Sequence, residues 1–498
     1  MRRAEGRRVR RGYLPTALVG SLLLVTALAC GIPYPPIPQL GAGSGPPPTE
    51  QPQPTVPPEG VPPTETPSLP SRPLPSTTEG VVYIPSPEGT GLPDGVLAVR
   101  VFSPAAGEAR YPEGAPVVIW VPGGDDRGNL REPLHQAADV IRIVFLFPGG
   151  CKGSVCSDGV YDHRGQRSIA ALRDVIRYAA GLLPDATGRT IDEAVPVPVL
   201  HDNIGLLGSS NGGNIVVAVA ALHGAELSGY LRYVIQWESP VSSQIATVDL
   251  GPPRECRLPN EGMQPVWVNP RYLGYGPLEV QVDYSQLAYD PSDPVHPVFW
   301  DGNGDGVYTL SEASACPLDL DGDGVLELDE DFPLIAYEAE GGLRVYSRPA
   351  THAMADQGIF PDPWPSDIAA PEEADRFWDL REAVRLYPAA LQSVPDLMGM
   401  VLASTQDHVQ IAPDRPHIRQ AFEGWLAAGG WVRVNPGPEY VVEIDPGLAE
   451  RSLPDNPPNT PPADWAAPDY TYPDPMDQVY QSAAVHEMAD RVQGREVP

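Results

Sequence analysis

The sequence predicts an α/β fold built on a mostly parallel sheet covered by helices on both faces. Two observations carry this. Continuous apolar runs of strand length recur along the chain, as in Pro116–Gly124 (PVVIWVPGG) and Arg142–Gly150 (RIVFLFPGG). They alternate with longer segments of helical spacing, as in Ser168–Leu183 (SIAALRDVIRYAAGLL). Strands apolar on both sides belong to sheets buried on both faces, and parallel strands need helical crossovers.

The elements follow in order. Val96–Pro104 (VLAVRVFSP) alternates and reads as the first strand, and 116–124 as the second. Residues 130–141 (LREPLHQAADVI) have helical spacing, and 142–150 form the next strand. The helix at 168–183 leads to a short strand at 203–208, a helix of small residues at 213–222 and a strand at 233–240. Far downstream come a strand at 396–404, a helix at 418–429, a strand at 431–436 and a closing helix at 483–492.

This foldable part is preceded by two segments of another kind. Residues 1–30 carry six arginines ahead of the apolar run ALVGSLLLVTALA, with Cys30 directly after it. The charge order is that of an export signal, and the run is too short for a comfortable membrane span. The string TALAC resembles a bacterial lipoprotein cleavage site, which implies a lipid on Cys30. Residues 31–79 are dominated by proline with Gly, Ser, Thr and Glu between, and show no apolar period. Such a segment buries too little surface to offset its ordering entropy, so it reads as an extended tether. The expected domains are therefore a signal at 1–30, a linker at 31–79, a core in two parts at 80–240 and 396–498, and an insertion at 241–395. The expected location is extracellular, at the cell surface or in a periplasm.

The formal net charge is −32 over 498 residues, and removal of the leader's six arginines and one glutamate leaves −37. A body of that sign is a poor partner for nucleic acid or for anionic membrane surfaces. Contact with a membrane is then expected only through the lipid anchor. Four cysteines remain besides Cys30, an even number in an exported chain, and suggest the pairs Cys151–Cys156 and Cys256–Cys316.

The string Gly208-Ser209-Ser210-Asn211-Gly212 stands between a short apolar strand and a small-residue helix. That is the setting of a nucleophile elbow: a sharp strand-to-helix turn that lifts a serine hydroxyl to the sheet edge. At these residues the chain resembles the α/β-hydrolase superfamily, over roughly 95–240 and 395–492. The resemblance extends to the turn Val121-Pro122-Gly123-Gly124 and to the chain order of the remaining candidates. It implies Ser210 as nucleophile and the Asn211 amide as one oxyanion donor, with Gly124 favoured as the second. It implies an acid after the next long strand, where LASTQDHVQIAP resembles the acid loop of prolyl-oligopeptidase-like and dienelactone-hydrolase-like members. Asp407 is that acid, and Glu238 is the rival. The histidine should follow the last strand, where His486 stands alone; His408 and His417 are the alternatives. A complete triad would make the chain a serine hydrolase of esters or peptides working through an acyl-enzyme. An incomplete one would leave a hydrolase-fold binding or adhesion module.

Residues 301–312 (DGNGDGVYTLSE) and 319–330 (DLDGDGVLELDE) both match the twelve-position calcium loop. The ligands would be Asp301, Asn303, Asp305, Val307, Thr309 and Glu312 in the first. In the second they would be Asp319, Asp321, Asp323, Val325, Glu327 and Glu330. Six residues separate the loops, too few for the helices of a sensor EF-hand. Calcium is therefore expected to brace a carboxylate-rich insertion.

Overall fold

The structure is a computed structural model. It describes residues 80–124, 126–251, 253–258, 262–267, 271–302, 304–308, 331–339, 342–405, 407, 409–410, 414–472 and 477–494. The signal, the linker, Asn303, residues 309–312 of the first calcium loop, the whole second loop, His408, Cys316 and the side chain of Cys256 lie outside these residues.

Eight strands form one sheet: β1 (Val81–Pro85), β2 (Val96–Phe102), β3 (Ala115–Val121), β4 (Ile141–Phe145), β5 (Val199–Ser209), β6 (Leu231–Trp237), β7 (Met398–Leu402) and β8 (Trp431–Val434). Their spatial order is β1-β2-β4-β3-β5-β6-β7-β8. Strand β2 runs antiparallel to both neighbours, and the pairs from β4 to β8 are all parallel. This is the α/β-hydrolase fold.

Eight helices matter to the argument: α1 (Gln166–Ala179), α2 (Gly212–Leu227), α3 (Arg348–Gln357), α4 (Pro371–Trp378), α5 (Ala383–Ser393), α6 (Pro416–Ala427), α7 (Pro438–Ile444) and α8 (Asp477–Val492). Alternate residues of each strand face opposite layers. Val117, Ile119, Leu206 and Val401 share a core with α1, α2, α5 and α6. Val118, Leu207, Ile235 and Met400 share another with α7 and α8. Both sides of the sheet are thus buried, as the unbroken apolar runs require.

The helix expected at 130–141 does not form; the segment is a series of turns. Pro133 lacks the amide a helix needs there, and Leu134 stands at φ 49°. Leu134, Ala137 and Val140 still fill the place a helix would take, on the α7/α8 face.

Between β6 and β7 the chain builds a cap with a small core of its own, including Trp300, Tyr346 and Met354. Its last helix, α5, leaves the cap and joins the helical layer on the sheet, packing against α2. There the rings of Tyr387 of α5 and Trp425 of α6 meet at 5.0 Å, tilted by 35°. Both donate to Oε1 of the buried Gln236 on β6, at 3.0 and 2.8 Å. Gln236 Nε2 in turn donates to the Gly213 carbonyl in the first turn of α2, at 3.2 Å. One buried side chain therefore ties the sheet, two outer helices and the start of α2 together. The disulfide Cys151–Cys156 closes a hairpin just after β4.

Candidate active site

Strand β5 ends at Ser209 and α2 begins at Gly212, so the direction of the chain reverses within two residues. Ser210 takes the strained part of that turn at φ 47°. Its amide donates to Trp237 O at 2.8 Å and its carbonyl accepts from Gly213 N at 2.8 Å. The flanking glycines are a steric demand. A Cβ on Gly208 would lie 2.4 Å from Gly212 O, and one on Gly212 would lie 2.4 Å from Val121 O. The Ser210 hydroxyl makes no hydrogen bond with the described residues and is partly exposed.

The turn after β3 packs directly on this serine. A Cβ placed on Gly123 would sit 2.7 Å from Ser210 Cβ. Gly124 follows at φ 56°. Neither Gly124 N–H nor Asn211 N–H is donated to another described residue. Both residues wall a pocket that adjoins the elbow through Asn211, the residue after Ser210; Ser210 itself is not one of its lining residues. The cap closes it from above with Tyr337 and Trp378, and the loop before α1 supplies His163 and Arg164. The Asn211 side chain donates to the Tyr337 hydroxyl, which pins cap to elbow. Of the aromatic residues in the insertion, Tyr337 and Trp378 reach this pocket, whereas Trp300 and Tyr387 are core.

Asp407 stands after β7, at the same carboxyl edge of the sheet as Ser210. One carboxylate oxygen accepts the amides of Val409 and Gln410 at 2.8 and 3.1 Å. The other pairs with His417 Nε2 at 2.8 Å. His417 is the second residue of α6, delivered there by Pro416 at the first helical position. Both side chains are fully buried. His417 Nδ1 has no partner among the described residues, and no hydrogen bond joins the imidazole to Ser210. Glu238, the other acid considered, follows β6 at φ 46° and accepts the Ser404 hydroxyl.

His486 is not part of this cluster. It pairs with Asp139 at 2.8 Å and with Glu443 at 3.2 Å. Asp139 stands two residues before β4, so it lies at the amino edge of the parallel strands. Register places Ile141 of β4 and Ile204 of β5 opposite the same residue of β3. Ser210 lies six residues beyond Ile204, roughly 20 Å up the sheet at the rise of a strand. The cause is the direction of α8. Its start lies near Tyr472, which bridges Ser404 at the carboxyl edge, and Ala489 near its end accepts from Asn203 at 2.9 Å. Burial works against the charged form of His486, but Asp139 and Glu443 outweigh it and hold the imidazole above its ordinary range. The hydrogen bond from His486, with Arg110 beside it, holds Glu443 down at about 2. This is an ion-pair network of the fold.

The expected first calcium loop is described in part. The Asp301 carboxylate collects the amides of Gly304, Asp305 and Gly306 at 2.6, 3.1 and 2.9 Å. Asp305 accepts that of Val307 at 2.9 Å, and Gly306 stands at φ 75°. Among the described residues no three His, Cys, Asp or Glu side chains gather as a metal set. Asn303, Thr309, Glu312 and the whole second loop lie outside them.

Sequence reasoning ranks His417, at a helix start just past Asp407, only as an alternative to His486; the structure pairs it with Asp407. His163 and Arg164 carried no signal, since a loop of no pattern brings them to the pocket.

No protein-family model and no curated protein matches this chain. Among solved structures, the α/β hydrolase GrgF from Penicillium sp. sh18 is 18% identical over 36% of this chain and 58% of its own, with a TM-score of 0.23. The carboxylesterase EstE1, cloned from a metagenomic library, is 17% identical over 32% and 47%, with a TM-score of 0.21. Carboxyl esterase 2 of the fungus Tuber melanosporum is 11% identical over 72% and 77%, with a TM-score of 0.30. The chain spans about half the length of the first two. Likenesses this low carry no weight for activity; the assignment of the fold rests on strand order and direction.

Proposed function

We propose that the protein is a serine hydrolase of esters or peptides that works through an acyl-enzyme on Ser210. The observation that carries this reading is the backbone at Ser210: φ 47° in a two-residue strand-to-helix turn, with a glycine turn packed against it. A fold keeps a strained residue where the surroundings over-determine it, and such residues gather at functional sites.

In this reading Asp407 orients His417, and the imidazole takes the Ser210 proton as the oxygen attacks the acyl carbon. The negative charge that develops on the carbonyl oxygen is met by the unused amides of Asn211 and Gly124. Each such donor contributes about 3 kcal/mol to the transition state. The tetrahedral intermediate expels the leaving group, which takes the proton back from the imidazolium. Water then attacks the acyl carbon as His417 accepts its proton; the second tetrahedral intermediate breaks the Ser210 Oγ–acyl bond, the imidazolium returns a proton to Ser210, and the acid leaves. His417 fits because one ring nitrogen is held by a carboxylate and the other is unpartnered, as a base requires.

A panel of short p-nitrophenyl esters beside peptide substrates tests this. Hydrolysis by the wild type, lost by several orders of magnitude in Ser210→Ala and His417→Gln, supports it. The missing bond between His417 and Ser210 favours a second reading, a binding module on an inactive hydrolase fold, which predicts no turnover in any variant.

We further propose that the mature chain is anchored through Cys30 by the Pro-rich tether, and that the two loops at 301–312 and 319–330 bind calcium. The turn of Asp301 and Asp305 described above fits the first half of such a loop. The ion would neutralise an insertion rich in carboxylates.

A further inference from the structure

We infer that the pocket adjoining the elbow takes an anionic group on Arg164, so the preferred substrates carry a carboxylate on a short acyl arm. This rests on the hydrolase reading for its chemistry, but the anion site is testable without it.

Arg164 is 6% exposed and lines the pocket. Its Nη2 donates to Gly123 O at 3.0 Å, the carbonyl of the residue packed on Ser210. Its Nε reaches the Tyr161 hydroxyl at 3.3 Å, and the guanidinium lies over the Phe147 ring at 5.6 Å. Its Nη1 is buried and has no acceptor, and no carboxylate pairs with Arg164 among the described residues. A buried guanidinium without a counter-charge is costly, so an acceptor is expected at that position.

The nearby acids among the described residues are otherwise engaged. Asp162 receives the amides of Gly165, Arg167 and Ser168 and the Ser168 hydroxyl at the start of α1. Asp126 pairs with Lys152 at the surface. The loop that carries Arg164 is held rigid: Arg381 donates to the carbonyls of Asp162 and His163 at 3.0 and 2.9 Å. In a chain of net charge −32, the described lining of this pocket holds Arg164 and Arg381 and no carboxylate. Asn214 adds a second unpartnered atom, Oδ1, to the same wall. As an acceptor it suits a hydroxyl or N–H on the same ligand. With Nε and Nη2 already donated within the protein, the free Nη1 suits one oxygen of a carboxylate on a short arm.

The test compares p-nitrophenyl hemiglutarate with p-nitrophenyl pentanoate, of similar length but uncharged. The wild type should favour the acidic ester in kcat/KM by roughly 10- to 100-fold, the span of one charge-assisted bond. Arg164→Gln should collapse that ratio to near one, and Arg164→Lys should keep part of it. Hydrolysis of both esters by the wild type without preference would overturn the inference and leave the hydrolase reading standing. If neither ester is cleaved, the hydrolase reading fails, and binding decides the anion site. Millimolar glutarate should then raise the melting temperature of the wild type and of Ser210→Ala, whereas monomethyl glutaramide should not. The absence of that difference overturns it, whether or not Arg164→Gln folds.

Discussion

Gly123→Ala perturbs the proposed chemistry at its narrowest point. The added methyl would sit 2.7 Å from Ser210 Cβ and 2.9 Å from Ser209 O. Non-bonded carbons rest at about 3.5–4.0 Å, so the turn after β3 must retreat by about 1 Å. Over-packing of this kind costs about 1–3 kcal/mol of stability. The retreat also moves the Gly124 amide off the oxyanion position, and loss of one such donor lowers kcat by roughly 100- to 1000-fold. KM should change far less, because the bond exists only in the transition state. Gly124→Ala perturbs the donor by another route: a Cβ there meets nothing within 4 Å, and the strain comes from the φ of 56°, so kcat should fall there too. Steady-state hydrolysis of p-nitrophenyl butyrate, with thermal unfolding in parallel, measures both variants. A Gly123→Ala protein with a lowered melting temperature and an unchanged kcat would refute the placement of the oxyanion site.

The remaining expectations concern the frame around the site. His486→Gln should lower the melting temperature and leave ester turnover in place; loss of turnover at unchanged stability would return His486 to the chemistry. The wild-type stability of that network should be full below the ordinary histidine range and fall as pH rises through the raised value of His486. It should also fall as pH drops below the usual glutamate range toward about 2, where Glu443 protonates. His486→Gln should flatten the alkaline limb of this profile in a pH series of melts. Gln236→Leu strands the Tyr387 hydroxyl and the Trp425 N–H, at about 1–3 kcal/mol each, which chemical denaturation would register. Calcium at 100 times its dissociation constant should stabilise the fold by about 2.7 kcal/mol, and Asp301→Ala should reduce that gain; a melt insensitive to chelator would refute the calcium proposal.

The sheet and its helices were legible because their signals are local. Runs such as PVVIWV are apolar at every position, and only a strand covered on both sides accommodates that. The elbow was legible for the same reason: Gly208 and Gly212 crowd residues four apart in sequence. The helix expected at 130–141 failed because spacing was read without weight for Pro133. His486 failed for a different reason. Sequence order places it after the last strand, but α8 spans the sheet from one edge to the other, and its register decides which end holds the imidazole. The pocket was invisible, since Gly124, Arg164 and Tyr337 come from three distant segments and meet only in the folded chain.

The most direct measurement is the reaction of the intact protein with a fluorophosphonate, followed by mass spectrometry of the adduct. One adduct on the peptide that contains Ser210, absent in Ser210→Ala and slowed in His417→Gln, is the result this account predicts. A folded wild-type protein that stays unmodified, or that carries the label on another serine, would contradict it.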